Sequence, residues 1–425
     1  MKRQADSPAT LRVCVCTSYS VGAEPRAPRH ALAIAALEPG IEVTFVECVP
    51  EGARVEKYDP FAGCANIRRE TYRFAHRGVG KMRLAGGKLL RLAYRLLFRF
   101  FGYLHPGALN TRFLGFGRFL GRIEADVYLA HNVETLLPAL QAAQKYGSLA
   151  MFDSMEFHSD MGESQNPMDR EIVARIERRC LPQCALVLAS SDEMADALSA
   201  AYGIRRPLAL YNVPPIDSHQ HHCDHEGVSL YWRNAVLGFG QRGLQDAMAA
   251  LTKLPEDVVL HLQGRLPLDG GVELREKIHA LGITQRVFLH APYSPPDAVR
   301  IAAHYCMGLC LEHGGIRNHE LTVSNKMFDY LMGGLVVIAS DLPGLRGVIE
   351  RSGGGLCFEP GNAVDLAEKI LELKNNLPLR LQLASNARVF ALQTANREME
   401  MARFRHAFFQ AAHPPREVGT PLASA

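Results

Sequence analysis

No run of about 18 or more uncharged apolar residues occurs in this chain of 425 residues, so no membrane-spanning helix is expected. Signal-peptide features are missing as well. The N-terminal MKRQADSPAT runs straight into LRVCVC, without a sustained apolar core or a small-residue cleavage site. The ten cysteines are scattered, and Cys14, Cys16, Cys306 and Cys310 sit inside apolar runs. They read as small buried thiols rather than a disulfide framework, which fits a reducing cytoplasm. No magnesium motif is visible. Acid is locally scarce too: residues 64 to 125 hold thirteen Lys or Arg against only Glu70 and Glu124. What remains is ordinary for a globular protein, with 48% hydrophobic and 21% charged residues, and the length suits two α/β domains.

The acid-poor region contains 84-LAGGKLLRLAYRLLFRFFGYL-104, where Lys88, Arg91, Arg95 and Arg99 fall at spacings of three and four and form one cationic stripe on a helix. The other faces carry leucine and phenylalanine. A basic helix this apolar suits an anionic membrane surface, where each cation contributes about 1 kcal/mol. A core helix with arginines along a solvent edge is the plainer alternative. Nucleic acid is not an expected partner, because the stripe lacks a helix-turn-helix, zinc-finger or RNA-binding signature.

Elsewhere, short apolar runs alternate with amphipathic segments, the βα pattern of doubly wound parallel sheets. In the first half the expected strands are Leu11 to Cys16, Ile41 to Glu47, Asp126 to Leu129, Met151 to Asp153, Ala185 to Ala189 and Leu208 to Leu210, with a helix near His30 to Leu37. In the second half they lie at Leu230, Val258 to Leu262, Val287 to Leu289, Gly308 to Leu311, Leu335 to Ala339 and Gly355 to Phe358. A proline- and histidine-rich linker, NVPPIDSHQHHCDHEG, separates the halves. The expected division is an N-terminal domain over 1–213, a C-terminal domain over 226–394, and a terminal helix over 395–412 that packs back on the first domain. The cluster 219-HQHHCDHE-226 lacks both a second Cys-x2-Cys knuckle and an i,i+4 helical pair, so no metal site is expected there.

The most informative stretch is 318-NHELTVSNKMFDYLMGGLVVIASDLPG-344. Ser324 and Asn325 are N-cap types, Met327, Phe328, Tyr330 and Leu331 follow at helical spacing, Gly333 and Gly334 stop the helix, and Leu335 to Ala339 read as a buried strand. A helix starting at Asn325 would aim free N–H groups into the preceding loop, where Lys326 adds a full charge, so an anion fits there. An ordinary αβ connection with a good N-cap is the bland reading.

The string SNKMFDYLMGGLVVIASDLPG resembles the donor-binding segment of family 4 glycosyltransferases of the GT-B fold, two Rossmann-like domains facing a cleft. The resemblance implies a retaining, metal-independent transfer from a nucleotide sugar. Asp329 stands where that family has a ribose-holding glutamate, and Val336 replaces a usual proline. The family's earlier glutamate, eight positions before that acid, would fall on Leu321; Glu320 is one residue off. Glu320 is therefore assigned the catalytic contact to the donor hexose, with Glu312 as its substitute. Arg242, in Arg242-Gly243-Leu244, stands in the position of a phosphate-contacting lysine, and Arg233 is the nearest candidate for an earlier arginine. Ser324, Asn325, Lys326 and Asp329 complete the expected donor site.

In the first half, 125-ADVYLAHNVETLLPALQAAQKYGSLAMFDSMEFHSD-160 sets His131, Asn132, Asp153 and Glu156 just beyond strand ends, where open α/β sheets bind ligands. The stretch is similar to the family's corresponding segments, with Met155 in place of a usual histidine. His131 matches the histidine that holds the donor sugar near its reacting carbon. Arg26 and Arg29, after the first strand, are candidate acceptor or phosphate contacts. The expected function is sugar transfer to a glycan or lipid-linked acceptor in cell-surface polysaccharide or glycolipid synthesis, with no cofactor. UDP is favoured over GDP as the donor nucleotide. The expected place is the cytoplasm, peripheral on the inner face of the membrane. A nucleotide-sugar epimerase of the same fold, or a noncatalytic nucleotide-sugar or membrane binder, remains open on the sequence.

Overall fold

The protein is described by a computed structural model covering residues 10–38, 40–53, 59–75, 81–162, 165–219, 227–239 and 243–413, with side chains from 85 onward in the helix Lys81–Phe101. Seven strands make the first sheet: β1 (Leu11–Thr17), β2 (Ile41–Pro50), β3 (Ile67–Phe74), β4 (Val127–His131), β5 (Leu149–Ser154), β6 (Leu186–Ala189) and β7 (Leu208–Ala209). Six make the second: β8 (Val228–Val236), β9 (Val258–Arg265), β10 (Val287–His290), β11 (Met307–Cys310), β12 (Val336–Ser340) and β13 (Gly355–Phe358). The orders are β3-β2-β1-β4-β5-β6-β7 and β10-β9-β8-β11-β12-β13, and every pairing is parallel.

The central strands are apolar on both faces because helices cover both sides. β4 and β12 are buried at every residue, and each sheet is sandwiched between two apolar clusters. In both sheets the order reverses beside the first strand, between β1 and β4 and between β8 and β11. Such a reversal opens a crevice at the carboxyl ends, where ligands of this fold class bind.

One strand escapes the sequence reading. β3, IRRETYRF, is half-exposed along its length, and its charges suit the edge it occupies but hide it from a search for apolar runs. The cysteine reading needs one correction. Cys14, Cys16 and Cys310 are free and buried, whereas Cys306 is disulfide-bonded. An apolar run places a sulfur in the core but says nothing about which second sulfur approaches it.

After the helix Leu377–Gln393, which packs Ala387 and Ala391 into the second domain, the helix Arg397–Ala412 returns to the first. Its Phe404 and Phe408 are fully buried there, Phe404 stacked on His30 at 4.1 Å.

The helix Lys81–Phe101 is not a core helix with its arginines along a solvent edge. Arg91 Nε donates to the Ala108 carbonyl at 3.1 Å, and both Arg91 and Arg95 pair with Asp169 in the first turn of the helix Pro167–Cys180. Half of the cationic stripe thus faces the protein, drawn by an acid that the helix's own pattern cannot reveal. The leucines described in the helix face out with Phe100 and Phe101, while Phe98 is buried.

Candidate functional site

The end of β4 delivers His131 and Asn132 to the reversal point of the first sheet. Asn132, at φ 70°, is the one non-glycine residue with positive φ among the described residues. Such backbone costs roughly 1–3 kcal/mol and persists only where surroundings impose it. Here Asn132 Oδ1 accepts from Thr17 Oγ1 at 3.2 Å, Ser18 N at 3.3 Å and Ser18 Oγ at 3.0 Å, tying β4 to β1 across the crevice.

Below it lies a buried charge cluster. Arg26 donates through Nε and Nη2 to the two oxygens of Asp153, at 2.7 and 2.9 Å, and through Nη1 to the Leu210 carbonyl. His131 Nδ1 is 3.1 Å and His30 Nδ1 3.7 Å from Asp153 Oδ2. Burial alone would raise the Asp153 carboxyl, but Arg26 and the two imidazoles outweigh it and hold it well below the usual carboxylate range. Burial pushes His30 far down, against the pull of Asp153. His30, His131 and Asp153 offer ligand atoms within 4.8 Å of one another, a spacing open to a metal ion. The bidentate Arg26 already occupies both carboxylate oxygens and sets a cation beside them, so the donor set fits a metal poorly.

The second domain builds a different site. Gly243, at φ 67°, precedes the helix Leu244–Leu251; a Cβ there would come within 2.5 Å of Leu311 Cβ, so glycine lets this turn press against the end of β11. Arg233, near the end of β8, forms an ion pair with Asp329 and donates its backbone N–H to Tyr330 Oη at 3.2 Å. Its guanidinium lies 5.7 Å from the Tyr293 ring. Burial pushes the Asp329 carboxyl up to about 6 despite Arg233, which stays charged. Lys326 is only 4% exposed, with Nζ 5.2 Å from the Trp232 ring.

Ser324 is the N-cap of the helix Asn325–Gly333 but makes no side-chain cap bond, and the first N–H groups of a helix lack intrahelical partners. Asn325 Oδ1 accepts from Asn212 at 2.9 Å, and Asn212 in turn accepts from Arg29. Burial, then repulsion by Arg397 and Arg26, lowers Arg29 to about 10. Arg26, Arg29 and Arg397 line one small cavity. Cations of the first domain and the terminal helix thus gather opposite the start of Asn325–Gly333.

Of the two candidate glutamates, Glu312 follows β11, is 4% exposed, and has its N–H bonded to Ser340 Oγ at 2.9 Å. Glu320, on the short helix Arg317–Leu321, is half-buried and accepts the Gly315 N–H at 2.9 Å. Glu156 joins the second domain directly: Asn318 Nδ2 donates to it at 2.5 Å, while Asn318 Oδ1 takes the Phe157 N–H at 2.7 Å. Beside Met155 and Glu156, His158 is buried and lowered to about 4 by that burial. Arg242 lies outside the described residues, as does most of the 219–226 cluster.

The sequence reading missed Asn318, Tyr293, Arg397 and the pair of His313 with Asp246 at 2.6 Å. A lone asparagine or tyrosine carries no pattern; only its place between domains or over a guanidinium marks it.

Two family matches cover most of the chain: Glycosyl transferase 4-like domain over residues 21–212, and Glycosyl transferases group 1 over 225–390. A search of curated proteins finds no match. Among solved structures, Anabaena Alr3699/HepE in complex with UDP is similar at TM-score 0.66 and 14% identity, covering 94% of this chain and 99% of that one. The lipopolysaccharide outer core galactosyltransferase WaaB is similar at TM-score 0.64 and 17% identity, with 94% and 99% covered. Sucrose-phosphate synthase from Thermosynechococcus elongatus is similar at TM-score 0.63 and 14% identity, with 94% and 98% covered. At these identities the structures speak for the fold and the family matches for the kinship: the chain belongs to the group 1 glycosyltransferases of the GT-B fold.

Proposed function

We propose that this glycosyltransferase moves a sugar, with retention of configuration, from a UDP-sugar to a lipid-linked or glycan acceptor in cell-surface polysaccharide or glycolipid synthesis. It would work without a metal, in the cytoplasm, peripheral on the inner face of the membrane. One observation carries the reading: an uncapped helix start at Ser324–Asn325 faces a gathering of arginines, with Arg233, Lys326 and Asp329 behind it. That combination suits a diphosphate with a ribose attached.

In this reading Asp329 accepts from the ribose hydroxyls, while the N–H groups at Ser324 and Asn325, with Lys326, Arg233 and Arg242, neutralise the diphosphate as it leaves. Glu320 contacts the hexose, its second oxygen free of the Gly315 bond, with Glu312 as the substitute. His131 positions the sugar, and Asn132, Asp153, Glu156 and Arg26 shape the acceptor side. The acceptor hydroxyl attacks the anomeric carbon on the face from which UDP departs. The bond from that carbon to the phosphate oxygen breaks, and the acceptor's proton passes to the departing phosphate. Structures of HepE hold UDP, and one holds UDP-glucose, which supports the donor class.

The test is incubation with UDP- and GDP-sugars and a lipid-linked oligosaccharide extract. Transfer from a UDP-sugar with the anomeric configuration kept is expected. Isomerisation of the donor without acceptor, or no consumption of any donor, would overturn the proposal.

A further inference from the structure

The outward face of Lys81–Phe101 is an apolar surface that donor chemistry does not use. Leu89 is 69% exposed, Phe100 73% and Phe101 79%, and Leu92, Leu96 and Tyr103 are exposed beside them. Leu89, Leu92, Leu96 and Phe100 recur at spacings of three and four, so they lie along one side. Phe98 is buried on the opposite side, and Arg91 and Arg95 reach inward to Asp169. Those two ion pairs fix the helix's rotation and hold the leucines and phenylalanines outward. Lys88 and Arg99 are exposed on the same helix. A soluble surface rarely carries so long an apolar strip without a partner.

We propose that this helix lies in the plane of a membrane with its leucine and phenylalanine face inside the acyl boundary, Lys88 and Arg99 at the headgroups, and Asp169 as the latch that orients it. This rests on the membrane reading above and changes its physical basis from attraction of a basic stripe to burial of an apolar face. No helix among the described residues is long and apolar enough to cross a membrane, which leaves an in-plane position. Charge selects lipid over a second copy of the chain. Pairing two copies across this face would oppose Lys88 and Arg99 to their own images, within a segment of thirteen cations and two acids. Anionic headgroups complement them.

Salt distinguishes the two modes, because it screens headgroup attraction but not apolar burial. The experiment is flotation of the full chain with vesicles of phosphatidylcholine and phosphatidylglycerol, at low salt and at roughly 1 M, where the screening length falls to about 3 Å. The wild type is expected to float at both. The variant Leu96→Ser/Phe100→Ser/Phe101→Ser, altered only at exposed positions, should lose at least tenfold in vesicle affinity at both. Lys88→Glu/Arg99→Glu should weaken binding chiefly at low salt.

Release of the wild type by salt, equal binding by the triple serine variant, or a wild-type dimer that the serines make monomeric would each overturn the proposal. UDP affinity, measured without vesicles, should match between wild type and the serine variant. A chain that floats but does not bind UDP would sink the donor reading and leave this one standing.

Discussion

Two arginine–aspartate pairs sit near carboxyl ends of the two sheets, one fully and one largely hidden from water, and in opposite states. Asp153 meets the bidentate Arg26 and two imidazoles, and its carboxyl is held well below the ordinary range. Asp329 meets Arg233, and burial carries it up to about 6. Burial penalises both carboxylates; the bidentate Arg26 and the imidazole contacts outweigh it at Asp153, whereas Arg233 and Arg397 do not outweigh it at Asp329. The first pair is a permanent clamp joining Arg26, β4 and β5. The second holds a carboxyl that burial raises despite its ion pair, and the proposed function gives it to the donor.

That contrast is open to breaking. The largest expected effect is on the clamp: Asp153→Asn strands the Arg26 charge in the interior and should cost about 3–5 kcal/mol of stability, read by chemical denaturation. The same change at Asp329 should cost clearly less, since that carboxylate is already disfavoured when ionised; equal losses would erase the distinction.

The next effect is on pH. In the proposed function ionised Asp329 accepts from the donor, so UDP affinity should fall as pH drops through about 6, by up to about tenfold per unit below it. For folding the sign is reversed. A carboxyl raised above its unfolded value contributes stability that is fully present below the unfolded pKa and lost as pH rises through about 6. Calorimetric UDP titrations from pH 5 to 8 check the first statement, and a flat profile would mean that Asp329 does not titrate with binding. The Asp153 clamp should leave no such signature in this window.

The smallest effect concerns the bridge between the two halves. Asn318→Ala removes the bonds to Glu156 and the Phe157 N–H and should cost about 1–2 kcal/mol of stability, read by chemical denaturation. It should leave UDP affinity within about twofold, a difference of about 0.4 kcal/mol. A large loss of UDP binding would place the donor against the bridge rather than against Asp329.

The alternating architecture was legible because parallel strands covered on both faces are largely apolar, and twelve of the thirteen strands leave that mark. β3 was not, since an edge strand can be charged. The start and stop of Asn325–Gly333 could be read from Ser324, Asn325 and the glycine pair, whose chemistry is local. Asn318, Tyr293 and Arg397 are set by contacts between distant segments, and nothing in their neighbours' sequence announces them. The helix Lys81–Phe101 shows the same limit from another side: its period gave the stripe, but the acid that turned it inward, Asp169, lies on another helix.

The central claim is that the start of Asn325–Gly333 binds the donor's nucleoside diphosphate. Calorimetric titration of UDP at pH 7.5 into the wild type, Asp329→Ala and Lys326→Ala tests it most directly, with circular dichroism confirming that each variant is folded. A loss of at least tenfold in UDP affinity is expected in both variants, while unchanged affinity in folded Asp329→Ala and Lys326→Ala would mean that the diphosphate binds elsewhere.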